Sequence, residues 1–517
     1  MAQSSRTVRG GELATSDDAP TRVIPRPRRR IPVTARPTAV PSPRADVLFW
    51  MLPALVAAAL GGWRLTAAAL WADELATWGA VRLSWEQLWR LSAAVDAVLT
   101  PYYAMMKLYT AVAGTSTAAL RLPALAATVA TSLVVTALGR RLGGRDTGLA
   151  AGLLFAVVPV TSRYAQEARP YALAMFAAAL AVLCLIRLLD DPGPGRAAAY
   201  SSALALAALS HPLSALLLLA GHALAVALRQ VRVGAAAWYG TAAWIIAAVP
   251  GGAAALILVG LGYRSRGQIG WIEHLTLSGF DAVPDGLFLT GAVGGIVIGL
   301  AVLAVRRTDE HVCVAAAAFT PLLVLLAADQ VMPIWVTRYV LVAVPALAAL
   351  AAAAMLRFGR TQAVVALALT VALGVSTHLR IREPDGHGED SARIASVIGP
   401  RWRPGDVVVF ADSHRSIPWA ARDIYQRYLP APRPPDVLRV SAQRTDGRFL
   451  ATECPAASCL GNPPRVWVIR VDKPSDPFQD MAAGKRQLLR EHYQTAQRWT
   501  YALLTIILVE RKPSAAG

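Results

Sequence analysis

The sequence predicts an α-helical polytopic membrane protein of about eleven transmembrane helices, followed by a small C-terminal extracytoplasmic α/β domain. Three observations predict this class. Of the 517 residues, 55% are apolar or aromatic and only 16% are charged, where a soluble domain carries about 25% charged residues. Apolar runs of about 15–25 residues recur along the chain, the length that a hydrocarbon core of about 30 Å demands. Arginines collect in every second connection between those runs, as the cytoplasmic excess of basic residues requires. A disordered chain, a coiled coil, a collagen-like fibre and a disulfide-stapled miniprotein are excluded by the same composition.

Residues 1–45 are rich in Arg, Pro and Thr, with Arg28, Arg29 and Arg30 in succession. Such a segment cannot bury a core, and it reads as a disordered basic cytoplasmic tail. The membrane domain is expected over 46–379, with spans near 47–70, 117–139, 147–162, 171–189, 197–210, 213–228, 235–261, 286–305, 312–328, 338–356 and 361–379. Arg140, Arg141 and Arg145, then Arg187 and Arg196, Arg229 and Arg232, Arg306 and Arg307, and Arg357 and Arg360 mark the alternate basic loops. This phase keeps the N-terminus in the cytoplasm of a bacterial plasma membrane, and an odd number of spans then exports the C-terminal region.

Between the first two spans, residues 84–91 and 101–113 are amphipathic and rich in Trp, Tyr and Met. Both are expected to lie flat at the membrane surface with their aromatics at headgroup depth. The alternative is that 101–113 opens a true span. Residues 380–517 read as a mixed domain long enough to fold alone. Buried strands are expected at Asp406–Phe410, Arg465–Val471 and Thr500–Val509, and helices at 415–428 and 480–495. Cys454 and Cys459 suit a small loop-closing disulfide on the exported side, while Cys184 and Cys313 lie in apolar runs.

The net charge of +18 is spread evenly, with +6 each in 1–45, 46–379 and 380–517. No segment pairs a basic stripe with stacking aromatics, so nucleic acid is not an expected partner.

The sharpest chemical feature is Trp71-Ala72-Asp73-Glu74-Leu75 at the outer end of the first span. A carboxylate held partly out of water gains proton affinity and can accept a proton from an incoming hydroxyl. Asp73 and Glu74 are therefore the catalytic candidates. The segment from Ser162 to Tyr171, SRYAQEARPY, faces the exported side, where the charge rule does not ask for arginine. Arg163 and Arg169 offer forks of donors to a phosphate, with Tyr164, Gln166, Glu167 and Tyr171 alongside as substrate-binding candidates. Pro170 suits a helix first turn and leaves that helix's amides free for an anion. Arg338 and Tyr339 repeat the pattern at the outer end of the tenth span. Loop 263–274 adds Arg264, Arg266, Gln268 and Trp271, suited to a sugar face and its hydroxyls. Asp96 and Tyr102 complete the substrate-binding set, and His211 before Pro212 is expected to be structural. Two adjacent acids do not make a convincing metal site, so no metal ligand is assigned, although a divalent cation stays open.

These residues resemble the GT-C superfamily of polytopic glycosyltransferases, in the group related to protein O-mannosyltransferases and bacterial aminoarabinose transferases. The resemblance spans about residues 47–379. It is carried by Asp73-Glu74, by Thr100-Pro101-Tyr102-Tyr103, by Ala119-Leu120-Arg121-Leu122-Pro123 leading to Gly139-Arg140-Arg141-Leu142-Gly143, and by Arg163 to Tyr171, which is similar to actinobacterial mannosyltransferase members. It implies a polyprenyl-phosphate-linked sugar as donor, mannose in particular, and a protein or glycan acceptor at the outer face. It also implies that Asp73 holds the catalytic acidic position with Glu74 as companion. The chain departs at Ala97-Val98-Leu99-Thr100-Pro101, where relatives often read His-Pro-Pro or Lys-Pro-Pro. Arg163, Arg169 or Arg338 must then hold the phosphate. The expected reaction is inverting transfer to an acceptor hydroxyl with Asp73 as general base. The rival is a transporter or flippase of lipid-linked sugars, disfavoured because no Asp or Glu falls mid-span, where transporters concentrate such groups.

Overall fold

The computed structural model describes residues 43–264, 270–411, 417 and 419–513. The expected disordered tail falls almost wholly outside these residues, and Gln268 and Arg266 do so entirely.

The first helix, α1 (Pro43–Gly62), leads through an irregular stretch to three short helices, α2 (Ala72–Val81), α3 (Trp85–Ala94) and α4 (Thr100–Ala113). The bundle continues with α5 (Thr117–Gly143), α6 (Arg145–Val157), α7 (Pro159–Ala165), α8 (Tyr171–Asp190), α9 (Pro194–Ser210), α10 (Pro212–Val233) and α11 (Trp238–Tyr263). It closes with α12 (Val283–Phe288), α13 (Gly291–Ala304), α14 (Asp309–Asp329), α15 (Val344–Phe358) and α16 (Arg360–Arg380). The chain is a multi-pass membrane protein.

Helices stand at all eleven expected segments, yet eleven crossings do not follow. Among the described residues six helical stretches are long and apolar enough to cross a membrane, or up to eight if each of two bent pairs counts as one span. One of the six, Pro212–Tyr263, folds back on itself. A Cβ on Gly252 of α11 would touch Leu219 of α10 at 3.2 Å, and Thr241 donates to Gln230 across the turn at 2.8 Å. The other differences have local causes. Proline at 159 forces Val158 into an extended conformation, φ −69° and ψ 136°, as the residue before proline prefers, and α6 and α7 meet at 62°. Leu289 takes a left-handed conformation, φ 63°, where the 92° bend before α13 lies. Helix α9 has 17 residues, short for a 30 Å crossing at about 1.5 Å per residue.

The core of the bundle is α15, whose residues Val344 to Met355 are all buried. Its alanines let α5, α6 and α13 approach closely, which is how helices associate where lipid removes the hydrophobic drive. Helix α16 is mostly exposed and presents Val364, Val365, Leu369 and Leu379 outward, a lipid-facing pattern.

The C-terminal region holds α17 (Arg393–Ile398), β1 (Val407–Phe410), α18 (Ala420–Tyr428), β2 (Arg439–Ser441), β3 (Thr452–Glu453) and α19 (Ala456–Cys459). It ends with β4 (Arg465–Arg470), α20 (Ala483–His492), β5 (Tyr493–Thr500) and β6 (Thr505–Arg511). Four strands form a sheet in the order β1-β4-β6-β5, with β1 and β4 parallel and the others antiparallel. Alternation along β4 sends Val466 and Val468 to one face with Leu438, Phe478 and Leu489. Trp467 and Ile469 go to the other, in one apolar cluster with Leu75, Trp78, Leu88 and Met106 of α2, α3 and α4. Helix α18, which packs on both α2 and β4, belongs to the same cluster and joins the sheet to the helices that follow α1. Cys454 and Cys459 are joined by a disulfide. The expected strand over 500–509 is instead the end of β5, a turn and most of β6. The helix expected over 480–495 stops at His492, because β5 is an exposed edge strand whose polar residues, YQTAQRWT, carry no apolar alternation.

Candidate active site

Asp73 stands in the first turn of α2, where the helix dipole favours a carboxylate. Its Oδ2 is buried and accepts no hydrogen bond. Arg169 approaches it with Nε 3.8 Å away, and Arg169 Nη1 reaches the Asp73 carbonyl and the Tyr103 hydroxyl, both at 3.4 Å. Tyr103 in turn donates to Asp96 Oδ2 at 2.7 Å. A line Asp96–Tyr103–Arg169–Asp73 thus runs along one wall. Burial pushes the Asp96 carboxyl up to about 6 against the lowering effect of the Tyr103 hydrogen bond and the Arg169 charge.

This wall bounds a cavity of about 330 Å³, within the size range of small-ligand sites. Arg338 also lines it, its guanidinium 5.5 Å from the Trp271 ring and 6.0 Å from Tyr339. The Nε atoms of Arg169 and Arg338 are buried without a hydrogen-bond partner. Tyr171, His211 and Tyr339 form a row of rings 5.6 and 5.1 Å apart. Val98, Leu99 and Val259 give the cavity an apolar side. Trp419 and Phe449 come into it from the C-terminal region.

Seven of the residues expected from sequence line this space: Asp73, Asp96, Arg169, Tyr171, Trp271, Arg338 and Tyr339. Glu74 does not, although it is next to Asp73 in the chain. It points the opposite way, fully buried, and takes a bidentate pair from Arg121, Nε to Oε1 at 2.8 Å and Nη2 to Oε2 at 2.7 Å. Oε1 also accepts the Ala168 N–H at 2.8 Å. Burial alone would raise this carboxyl, but the Arg121 guanidinium outweighs burial and holds it well below the usual carboxylate range. Glu74 therefore ties α2 to α5 and to the loop bearing Arg169.

Arg163 is likewise turned away from the cavity. It pairs with the buried Glu167 and lies over the Trp71 and Tyr164 rings at 5.9 and 5.6 Å. Gln166 donates to the carbonyls of Gly61 and Trp63 at 2.9 and 2.8 Å, fastening the loop to the end of α1. Tyr164 packs edge-on against Tyr171 at 5.5 Å. Tyr102 is buried in the apolar cluster under the sheet.

Sequence reasoning passed over several groups. His211 lines the cavity while also accepting from Ser214 at the start of α10, so its structural role is only part of its position. Glu389, nearly inaccessible at 2% exposure, reaches the backbone N–H of Ala72, and burial pushes it up to about 8, with the Asp73 and Glu74 charges adding to the rise. His387 lies 3.4 Å from Glu74 and is pushed down to about 3 by burial. The segment 383–391 carried no pattern that could have announced this.

The cation nearest the Asp73 carboxylate is the Arg169 guanidinium, and among the described residues no group of three or more His, Cys, Asp or Glu could hold a metal ion.

Residues 100–253 match the family described as dolichyl-phosphate-mannose-protein mannosyltransferase. No curated protein matches the chain by sequence. Among solved structures, ArnT from Cupriavidus metallidurans in the apo state is similar over 90% of this chain and 98% of its own, at 13% identity and a TM-score of 0.57. ArnT bound to undecaprenyl phosphate is similar over 92% and 100%, at 13% identity and a TM-score of 0.55. At that identity the likeness shows a shared fold.

Proposed function

We propose that the chain, whose residues 100–253 match the dolichyl-phosphate-mannose-protein mannosyltransferase family, is a membrane glycosyltransferase that transfers mannose from a polyprenyl-phosphate donor to an acceptor hydroxyl on the extracytoplasmic face, with inversion. The observation that carries the proposal is one cavity holding an unpartnered carboxylate oxygen, on Asp73, and two guanidinium groups with free N–H donors, on Arg169 and Arg338. Undecaprenyl phosphate in the similar ArnT structure supports a lipid phosphate as the donor's anchor.

The acceptor hydroxyl gives its proton to Asp73 as its oxygen attacks the anomeric carbon. The bond from that carbon to the phosphate oxygen breaks, and its electron pair leaves with the polyprenyl phosphate. That leaving group is a stable anion, so no general acid is required. Arg169 and Arg338 face the charge that grows on it, the type of preorganised electrostatic help that contributes most to many enzymes. Val98, Leu99 and Val259 give an isoprenoid tail an apolar wall. Attack from the face opposite the phosphate inverts the anomeric centre. Glu74 serves by holding Asp73 and Arg169 in register.

The test is a transfer assay with the purified full chain in lipid nanodiscs, labelled polyprenyl-phosphate mannose and a cell-envelope extract as acceptor. Label leaving the lipid phase in a product of the opposite anomeric configuration supports the proposal. In a parallel experiment with vesicles, label crossing the bilayer with no product would overturn it in favour of a flippase.

A further inference from the structure

The C-terminal region also lines the cavity. Trp419, just before α18, and Phe449, in the loop between β2 and β3, project into it from the C-terminal region, some 350 residues along the chain from Asp73. Their rings are stacked, with centroids 4.6 Å apart and planes inclined by 29°. The indole Nε1 of Trp419 is buried and donates to nothing, an expensive state for a polar group that no ligand satisfies.

The pair is held from behind. Arg444 lies 5.8 Å from the Phe449 ring and is locked by Asp423 of α18 through bonds of 2.9 and 2.6 Å. The same guanidinium packs on Gly79 of α2, where any Cβ would collide with it. Gly79 is thus small because the C-terminal region docks there, and the docking fixes the aromatic pair relative to the helix that bears Asp73.

Position assigns the pair to one substrate. A lipid-borne donor meets Val98, Leu99, Val259 and the two arginines, all on membrane-domain elements. Trp419 and Phe449 belong to the α/β region, on the side from which a water-borne acceptor comes. An apolar ring face beside a free N–H donor matches a pyranose, which offers a face of C–H groups with hydroxyls at its rim. A cavity of about 330 Å³ takes a terminal sugar more readily than a running peptide main chain.

We propose that Trp419 and Phe449 form an acceptor subsite for a pyranose ring, with Trp419 Nε1 donating to one of its hydroxyls. The acceptor is then a glycan. This rests on the glycosyl-transfer reading only in naming the occupant the acceptor, since the binding itself is measured without turnover.

The experiment is saturation-transfer NMR on the full chain in nanodiscs with methyl mannoside, methyl glucoside and methyl galactoside as probes, and a serine- and threonine-containing hexapeptide as comparison. Wild-type protein is expected to saturate the ring protons of at least one pyranoside. Trp419→Ala should weaken that binding about tenfold or more, and Trp419→Phe, which keeps a ring but lacks the N–H, should fall between. Affinity for polyprenyl phosphate, measured on the same samples, should be unchanged in both variants. The inference is overturned if no pyranoside binds, if the hexapeptide binds in their place, if Trp419→Ala leaves the signal intact, or if it weakens polyprenyl phosphate to the same degree. Pyranoside binding together with a failed transfer assay would remove the catalytic reading and leave this subsite standing.

Discussion

Asp73, Arg169 and Arg338 line the cavity, and each has a buried polar atom without a hydrogen-bond partner. Arg163 has the same side chain, lies six residues from Arg169, and is spent on Glu167. The account therefore separates them. Arg338→Gln should raise the KM for the lipid donor by about ten- to a hundredfold, the range for losing a charge-assisted hydrogen bond. Arg163→Gln should leave that KM within about twofold while lowering thermal stability, since it strands a buried carboxylate. Steady-state kinetics over a donor series checks both. Glu389 makes a separate prediction. Its folded-state carboxyl lies at about 8 because of burial, against about 4.3 in an unfolded chain, so the folded protein holds the extra proton. The contribution of Glu389 to stability then falls as pH rises from about 5 through 8. Glu389→Gln should flatten that part of the melting-temperature profile. A Glu389→Gln profile with the same slope as wild type over that interval would contradict the assignment.

At the scale of elements, α2 is ten residues long, too short to hold its own geometry in water, and it is placed by what grips it. Glu74 binds Arg121 of α5 and the Ala168 amide, Thr77 donates to the Ala168 carbonyl at 2.9 Å, and Arg444 covers Gly79. Glu74→Ala leaves Arg121 charged and buried and should cost about 3–5 kcal/mol, read as a loss in denaturation midpoint. The double variant Glu74→Ala with Arg121→Met should recover most of it. Loss of transfer without loss of stability would instead return Glu74 to the chemistry. Much of this was legible only in part. Asp73 stood out because a local motif at the end of an apolar run announces itself. The orientation of Glu74 did not, since its partner is 47 residues away and nothing local tells which of two neighbouring acids faces inward. Strand β5 escaped because an exposed edge strand needs no apolar alternation, and the break at Val158 was foreseeable from Pro159.

For the whole molecule, composition and run length were enough to reveal a helical membrane protein, because burial in lipid constrains every residue of a span. The number of crossings was not equally legible, since an apolar run does not disclose whether its helix is bent, short or half of a hairpin. Trp419 and Phe449 reach the cavity where the C-terminal region packs on α2 through α18, a long-range contact that no sequence window contains. The exported position of the C-terminal region is a further prediction. A periplasm-dependent reporter fused at the C-terminus should be active, and activity from a cytoplasm-dependent reporter instead would reverse the orientation of the whole site.

The most direct test of the central claim is the single-turnover rate of Asp73→Asn in nanodiscs, with polyprenyl-phosphate mannose pre-bound. The account predicts a fall of about a hundredfold or more, the scale for losing a general base, with donor affinity and melting temperature close to wild type. A rate within a few-fold of wild type would contradict it.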